Sequence, residues 1–138
     1  MSEILLVKDV HAYYGSSHIL HGVSFALDKG VVVIVGRNGM GKTTLVKTIM
    51  GMIHAASGKI LLRGEDITRE KSYRIASRGV GYVPQGRGLF PSLTVNEHFQ
   101  LVARDDGKIW NPERIYRMFP NLARQPNKNV TLLSGGEQ

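Results

Sequence analysis

The stretch Gly36-Arg37-Asn38-Gly39-Met40-Gly41-Lys42-Thr43-Thr44 decides the fold, because it satisfies the pattern G-x-x-x-x-G-K-[ST]. Its flanks matter as much as the pattern. Val31–Val35 leads in, an apolar run without alternation, which predicts a strand buried on both faces of a parallel sheet. Residues 42–52 lead out as a predicted helix. There Leu45, Ile49 and Met52 share one face at i, i+4, i+7, and Gly51 weakens the last turn. A polyphosphate needs many donors converging on it. The backbone amides of residues 39–44 supply them if the loop curls tightly, and glycine at 36, 39 and 41 keeps side chains out of the curl. The helix that starts near Lys42 turns its free N–H groups and positive dipole end toward an anion. Lys42 adds a point charge for the β- and γ-phosphates, Thr43 offers a hydroxyl to Mg²⁺, and Thr44 an amide. Arg37, Asn38 and Met40 complete the loop; the side chains of Arg37 and Met40 are assigned no chemistry.

Working outward, the first 35 residues read as strands. Ile4–Val7 is apolar, Tyr13-Tyr14-Gly15 follows a polar break, and Val23–Leu27 alternates up to the turn Asp28-Lys29-Gly30. Beyond the loop helix, Gly58–Arg63 predicts a strand closed by an Arg63-Gly64 turn. Glu70–Ser77 predicts a short helix stopped by Gly79, and Val80–Val83 a strand halted by Pro84. The character then changes. Thr94-Val95-Asn96-Glu97 fits a capping box that opens a helix from about Val95 to Arg104. A loop with Asp105, Asp106 and Gly107 follows, then a helix over 112–119 with Pro112 in its first turn. The expected class is α/β: a nucleotide-binding core over residues 1–85, with an antiparallel β-subdomain at its N-terminal side, and a helical subdomain over 86–138.

Composition excludes several alternatives. The 138 residues are one domain's worth of chain, 42% hydrophobic and 21% charged, as in ordinary globular domains. The absence of cysteine removes disulfides, thiol catalysis and cysteine-held metals. No apolar run approaches the roughly 18 residues that span a bilayer, and Met1–Val10 lacks the pattern of a signal peptide. The net charge of +7 is spread along the chain. It fits a solvated surface or a polyanionic partner: nucleotide phosphates, an anionic membrane face or nucleic acid.

The chain closes with Leu133-Ser134-Gly135-Gly136-Glu137-Gln138. Alone this is a turn. Downstream of a phosphate loop, LSGGEQ is similar to the signature motif of the ATP-binding cassette family. That resemblance implies a P-loop NTPase core, ATP and Mg²⁺ as ligands, and further site residues. Tyr14 matches the aromatic that stacks on adenine, while Tyr13, on the other face of the strand, reads as packing. Gln85, after Tyr82-Val83-Pro84, matches the glutamine that contacts Mg²⁺ and the attacking water. Ser134, Gly135, Gly136 and Glu137 match the residues that face ATP bound by a second subunit. Leu89–Val95 lies where the family docks its transmembrane partner. The YYGSSHILHGVSF stretch, the GRNGMGKTTL loop, Gly64-Glu65-Asp66-Ile67 and Tyr82–Arg87 look like the ATP-binding subunit of branched-chain amino acid importers, with the urea importers as close siblings. His98 departs from the asparagine often found there and puts a contact in the helical subdomain in doubt.

The resemblance also implies elements that these residues do not carry. The family continues with an apolar strand ending in Asp-Glu, which lies beside the phosphate-loop strand, and then a histidine that senses the γ-phosphate. No segment of the 138 residues fits either, so the expectation is a fragment with no catalytic carboxylate, negligible turnover alone and an exposed edge at Val31–Val35. The implied partners are transmembrane permease subunits, a second ATP-binding subunit (identical or not) and, indirectly, a periplasmic or extracellular solute-binding protein; nucleic acid is not expected. The implied location is the cytoplasmic face of a bacterial cell membrane, as a peripheral subunit. A soluble cassette protein acting on nucleic acid is the competing reading.

Overall fold

The computed structural model of the chain describes residues 3–86, 88–102 and 111–138. The described chain falls into two units, Met1–Tyr82 and Val83–Gln138.

In the first unit, β1 (Leu5–Tyr14) and β2 (Ser17–Leu27) form one long antiparallel hairpin. The polar break at Lys8-Asp9 does not end β1. It is a bulge: Asp9 takes φ 49, its amide donates to Ser24 Oγ at 2.8 Å, and the register to β2 shifts between Val7 and Val10. On the other side β1 pairs with β3 (Ala55–Leu62), which turns at Arg63-Gly64 into β4 (Glu65–Asp66). The sheet order is β2-β1-β3-β4, antiparallel throughout. Val7, Val10, Ala12, Leu20, Ile60 and Leu62 point from it into a core shared with Leu45, Met50, Ile67 and Ile75. Each of the larger of these side chains contributes about 1.5–3 kcal/mol by leaving water.

Helix α1 (Lys42–Ile49) follows the phosphate loop. Gly51 terminates it rather than weakening it. With φ 65, Gly51 donates to Thr48 O at 3.0 Å while Met52 donates to Lys47 O at 2.9 Å, which closes a Schellman turn. The helix therefore ends before Met52, which is exposed, and Met50 is the residue buried there. Helix α2 (Ser72–Ser77) is shorter than the expected 70–77 and stops just before Gly79.

Two expected strands, Val31–Val35 in a parallel sheet and Val80–Val83, carry no ladder. Val31–Val35 pairs with nothing among the described residues. Val31, Val33 and Val35 are 86%, 76% and 88% exposed, whereas Val32 and Ile34 are about half as exposed, at 41% and 39%. Val80–Val83 likewise forms no strand, and Val83 is exposed. Strand propensity alone makes no strand, since the ladder needs a second chain segment to accept and donate. β1, β2, β3 and β4 form because each has such a partner.

In the second unit, α3 (Val95–Val102), α4 (Pro112–Met118) and α5 (Pro120–Ala123) surround a small core of Val95, Val130 and Leu133. The expected capping box at Thr94 is formed, and α4 opens with Pro112 after the cap Asn111, whose side chain accepts from the Arg114 amide at 2.8 Å. The expected helix end at Arg104 and the loop of Asp105, Asp106 and Gly107 lie outside the described residues. A short 3-10 turn (Val130–Leu132) leads into Ser134.

Candidate functional site

The phosphate loop sits between the exposed Val31–Val35 run and α1. Gly39 and Gly41 hold φ of 84 and 86, the left-handed region that side-chain-bearing residues avoid. Gly41 is the N-cap of α1 and packs closely on β2. A Cβ there would lie 3.1 Å from both Ile19 Cγ2 and Leu20 Cδ2 of β2. The hairpin thus fixes where the helix begins.

No side chain caps α1 and its first turn holds no acid. The Leu45 amide donates to Gly41 O at 2.8 Å, which is the first helical bond. The amides of Lys42, Thr43 and Thr44 therefore have no carbonyl one turn back, and they point out of the N-terminus with the positive dipole end. Lys42 Nζ donates to Gly36 O at 2.7 Å and to Arg37 O at 2.8 Å, which holds the ammonium over the loop. Thr43 is exposed, so its hydroxyl is free to approach a ligand. Thr44 is 7% exposed, and Thr48 Oγ1 donates to its carbonyl at 2.8 Å. Only the amide of Thr44 remains for a ligand. Arg37, Asn38 and Met40 are exposed loop positions.

Tyr13 and Tyr14 end β1 and differ in surroundings. The Tyr13 ring stacks on His18, with centroids 4.3 Å apart and planes 8° apart. His18 also touches His11 and His21, and His11 Nδ1 and His18 Nε2 share a hydrogen bond at 3.0 Å. Tyr14 is half exposed and open to a stacking partner.

In the second unit, Gln85 is an exposed turn residue. Ser134, Gly135 and Gly136 are exposed as well. Glu137 does not project into solvent: its Oε2 accepts from the Ser134 amide at 2.8 Å and from Ser134 Oγ at 2.7 Å. Those two bonds, amide first, hold the Glu137 carboxyl below its ordinary value. Thr94 and Glu97 repeat the arrangement, both bonds at 2.8 Å, and Glu97 is lowered for the same reason.

The family model described as ABC transporter matches residues 20–138. The chain belongs to the ABC transporter family. The high-affinity branched-chain amino acid transport ATP-binding protein BraG of Pseudomonas aeruginosa is 36% identical over 140 residues, covering 98% of this chain and 60% of BraG. The molybdate/tungstate import ATP-binding protein WtpC of Methanocaldococcus jannaschii is 39% identical over 123 residues, covering 86% of this chain and 40% of WtpC. A solved ATP-binding cassette of an ABC transporter, MJ1267, superposes with a TM-score of 0.80 at 28% identity, covering 99% of this chain and 61% of that one. The chain spans about 60% of the length of BraG and of that cassette. Its fold is that of the P-loop NTPase cassettes of this ABC family, α/β with an antiparallel sheet and several helices.

Two contacts in this ABC chain were not anticipated from sequence. The Ser134–Glu137 pair has the S-x-x-E spacing of a capping box and was readable as one. His98 bonds to the backbone on both sides of its ring. Its Nε2 accepts from the Phe90 amide at 2.9 Å and its Nδ1 lies 2.9 Å from Thr94 O. The pair of contacts requires the proton on Nδ1. Among the described residues no group of three or more His, Asp or Glu side chains is arranged to hold a metal, and no helix is long and apolar enough to cross a membrane.

Proposed function

We propose that the chain is the phosphate-gripping part of the ATP-binding subunit of an importer for branched-chain amino acids, seated on the cytoplasmic face of the membrane. The single observation that carries the reading is the loop at Gly36–Thr44: a glycine N-cap fixed against β2, three helix-end amides without partners, and Lys42 held over the loop. This geometry grips a polyphosphate through backbone donors and one ammonium.

The residues divide the work. Gly39–Thr44 amides and Lys42 Nζ bind the phosphate tail, and Lys42 exchanges two carbonyl acceptors for phosphate oxygens of greater charge. Tyr14 supplies an open ring for the adenine, while the His18 stack keeps Tyr13 out of that role. Thr43, exposed in the first turn of α1, is the side chain of this loop that would hold Mg²⁺. The ion, when bound, offsets the charge of the β- and γ-phosphate oxygens. Ser134, Gly135 and Gly136 present donors to ATP on a second subunit. Glu137 acts through Ser134: a carboxylate beside a triphosphate would repel it, and this one is occupied by the Ser134 amide and hydroxyl. Hydrolysis then belongs to the complete subunit, working with permease subunits and a solute-binding protein.

The substrate rests on likeness to BraG, and the likeness to WtpC shows that related cassettes serve other cargo. The test is to remove the complete gene from its host and measure uptake of labelled leucine and labelled urea. Loss of leucine uptake supports the reading. Loss of urea uptake alone transfers it to the sibling importers, and loss of neither contradicts import of both. Nucleic acid copurifying with the complete protein, with a steep salt dependence, would favour a soluble cassette protein instead.

A further inference from the structure

β3 accompanies β1 only as far as Ala12, which pairs with Ala55. Beyond it, among the described residues, Tyr13 and Tyr14 pair with β2 alone, Tyr13 with His18 and Tyr14 with Ser17, and the turn Gly15-Ser16 closes the ribbon. A two-stranded ribbon is marginal by itself and is held by its cross-strand side-chain pairs. Here that pair is the Tyr13–His18 stack, with centroids 4.3 Å apart and planes 8° apart. His18 also reaches back into the three-stranded part of the sheet. Its Nε2 lies 3.0 Å from His11 Nδ1, and its ring centroid lies 4.0 Å from that of His21. His11 is rooted there: it pairs with His21 on one side and Ser57 on the other, and its Nε2 lies 3.3 Å from Asp9 Oδ1. A carboxylate only accepts, so in the neutral ring His11 Nδ1 is the acceptor and His18 Nε2 donates. Gly22 leaves room for the Asp9–His11 contact, since a Cβ there would lie 2.7 Å from Asp9 Oδ1.

We propose that His18 is a positioning residue for Tyr14: it ties the free end of the ribbon to the rooted sheet and so holds the Tyr14 ring where an adenine can stack. Neighbouring side chains leave a strand on opposite faces, so the histidine stack backs Tyr13, and the half-exposed Tyr14 ring stays clear of it. His18 acts without touching the nucleotide, by raising the share of molecules whose ribbon end is ready to bind. The inference rests on the reading of Tyr14 as the adenine platform and adds to it the residues that keep the platform in place.

The test is calorimetric titration of the complete protein with Mg-ATP and with Mg-tripolyphosphate, which has no ring to stack. His18→Ala should weaken Mg-ATP about three- to fivefold, the scale of one cross-strand aromatic pair, and leave Mg-tripolyphosphate unchanged. His18→Phe keeps a flat ring on Tyr13 and should recover most of the loss. In the Tyr14→Ala protein, His18→Ala should have no further effect on Mg-ATP, because the two residues act as one unit. No loss in His18→Ala, an equal loss for Mg-tripolyphosphate, or a further loss on the Tyr14→Ala background would overturn the proposal. No Mg-ATP binding by the parent protein, or binding that Tyr14→Ala leaves unchanged, would instead remove the adenine reading itself, and the proposal with it.

Discussion

Ser134 gives both its amide and its hydroxyl to one oxygen of Glu137, at 2.8 and 2.7 Å. The signature turn is therefore braced before any partner arrives. Glu137→Ala removes the brace and leaves the Ser134 amide to solvent. Faster hydrogen exchange at Ser134 and weaker ATP-driven pairing of complete subunits are expected, with single-subunit ATP binding unchanged. Exchange at Ser134 as slow as in the parent protein would show that the carboxylate holds nothing.

The same bonding at Thr94–Glu97 couples the second unit to pH. Glu97 and Glu137 both titrate below their ordinary values because the folded chain donates to the charged form. A carboxyl lowered by folding adds stability that is complete above its unfolded value and is lost as pH falls through its folded value. Stability of the second unit should thus drop on acidification through and below the ordinary glutamate range. The Glu97→Gln/Glu137→Gln variant should show a flatter profile there. Parallel profiles for the two proteins would contradict this.

His98 ties the start of α3 to the Phe90 amide and Thr94 carbonyl. Truncation to Ala leaves the Phe90 amide without its acceptor, while the Thr94 carbonyl keeps the backbone amide of residue 98 at 3.1 Å. The expected loss is about 1–2 kcal/mol in urea unfolding of the complete protein. Asparagine, which is often found at this position in the family, should restore part of it. A His98→Ala variant as stable as the parent would show both contacts to be incidental.

Gly51 tests the helix stop independently of the nucleotide. Its φ is 65, and a Cβ there would lie 2.5 Å from Glu70 O. Gly51→Ala should cost about 1–3 kcal/mol of stability. A neutral or stabilising effect would mean that the Schellman turn relaxes without penalty.

The exposed row Val31, Val33 and Val35 makes a prediction for the 138-residue polypeptide by itself. A row of β-branched side chains with unpaired backbone seeks another strand. Light scattering should show self-association that Val33→Lys reduces. A monodisperse monomer at high concentration would contradict it.

The local devices of this fold were legible in the sequence: the glycine-lysine loop, the Thr94 capping box and Pro112 each rest on residues close together in the chain. The Gly58–Arg63 strand was legible too, although its partner β1 lies far back in the chain, but other readings fared differently. The Val31–Val35 run has the composition of a buried strand, but a strand exists only with a neighbour. Lys8-Asp9 read as a break because a bulge and a loop share the same polar residues, and only the pairing on both sides of β1 tells them apart. The histidines at 11, 18 and 21 gave no signal, since their stack is created by the hairpin register. The anchoring role of Glu137 was present in the spacing S-x-x-E, hidden beneath a more familiar motif.

The central claim is that helix-end amides and Lys42 grip the phosphate tail of ATP. It is tested most directly by calorimetric titration of the complete protein with Mg-ATP, alongside its Lys42→Ala variant. Saturable binding is expected for the parent, weakened about tenfold or more in the variant by loss of a charge-assisted bond. No heat of binding in the parent, or the same affinity in both proteins, would contradict the account.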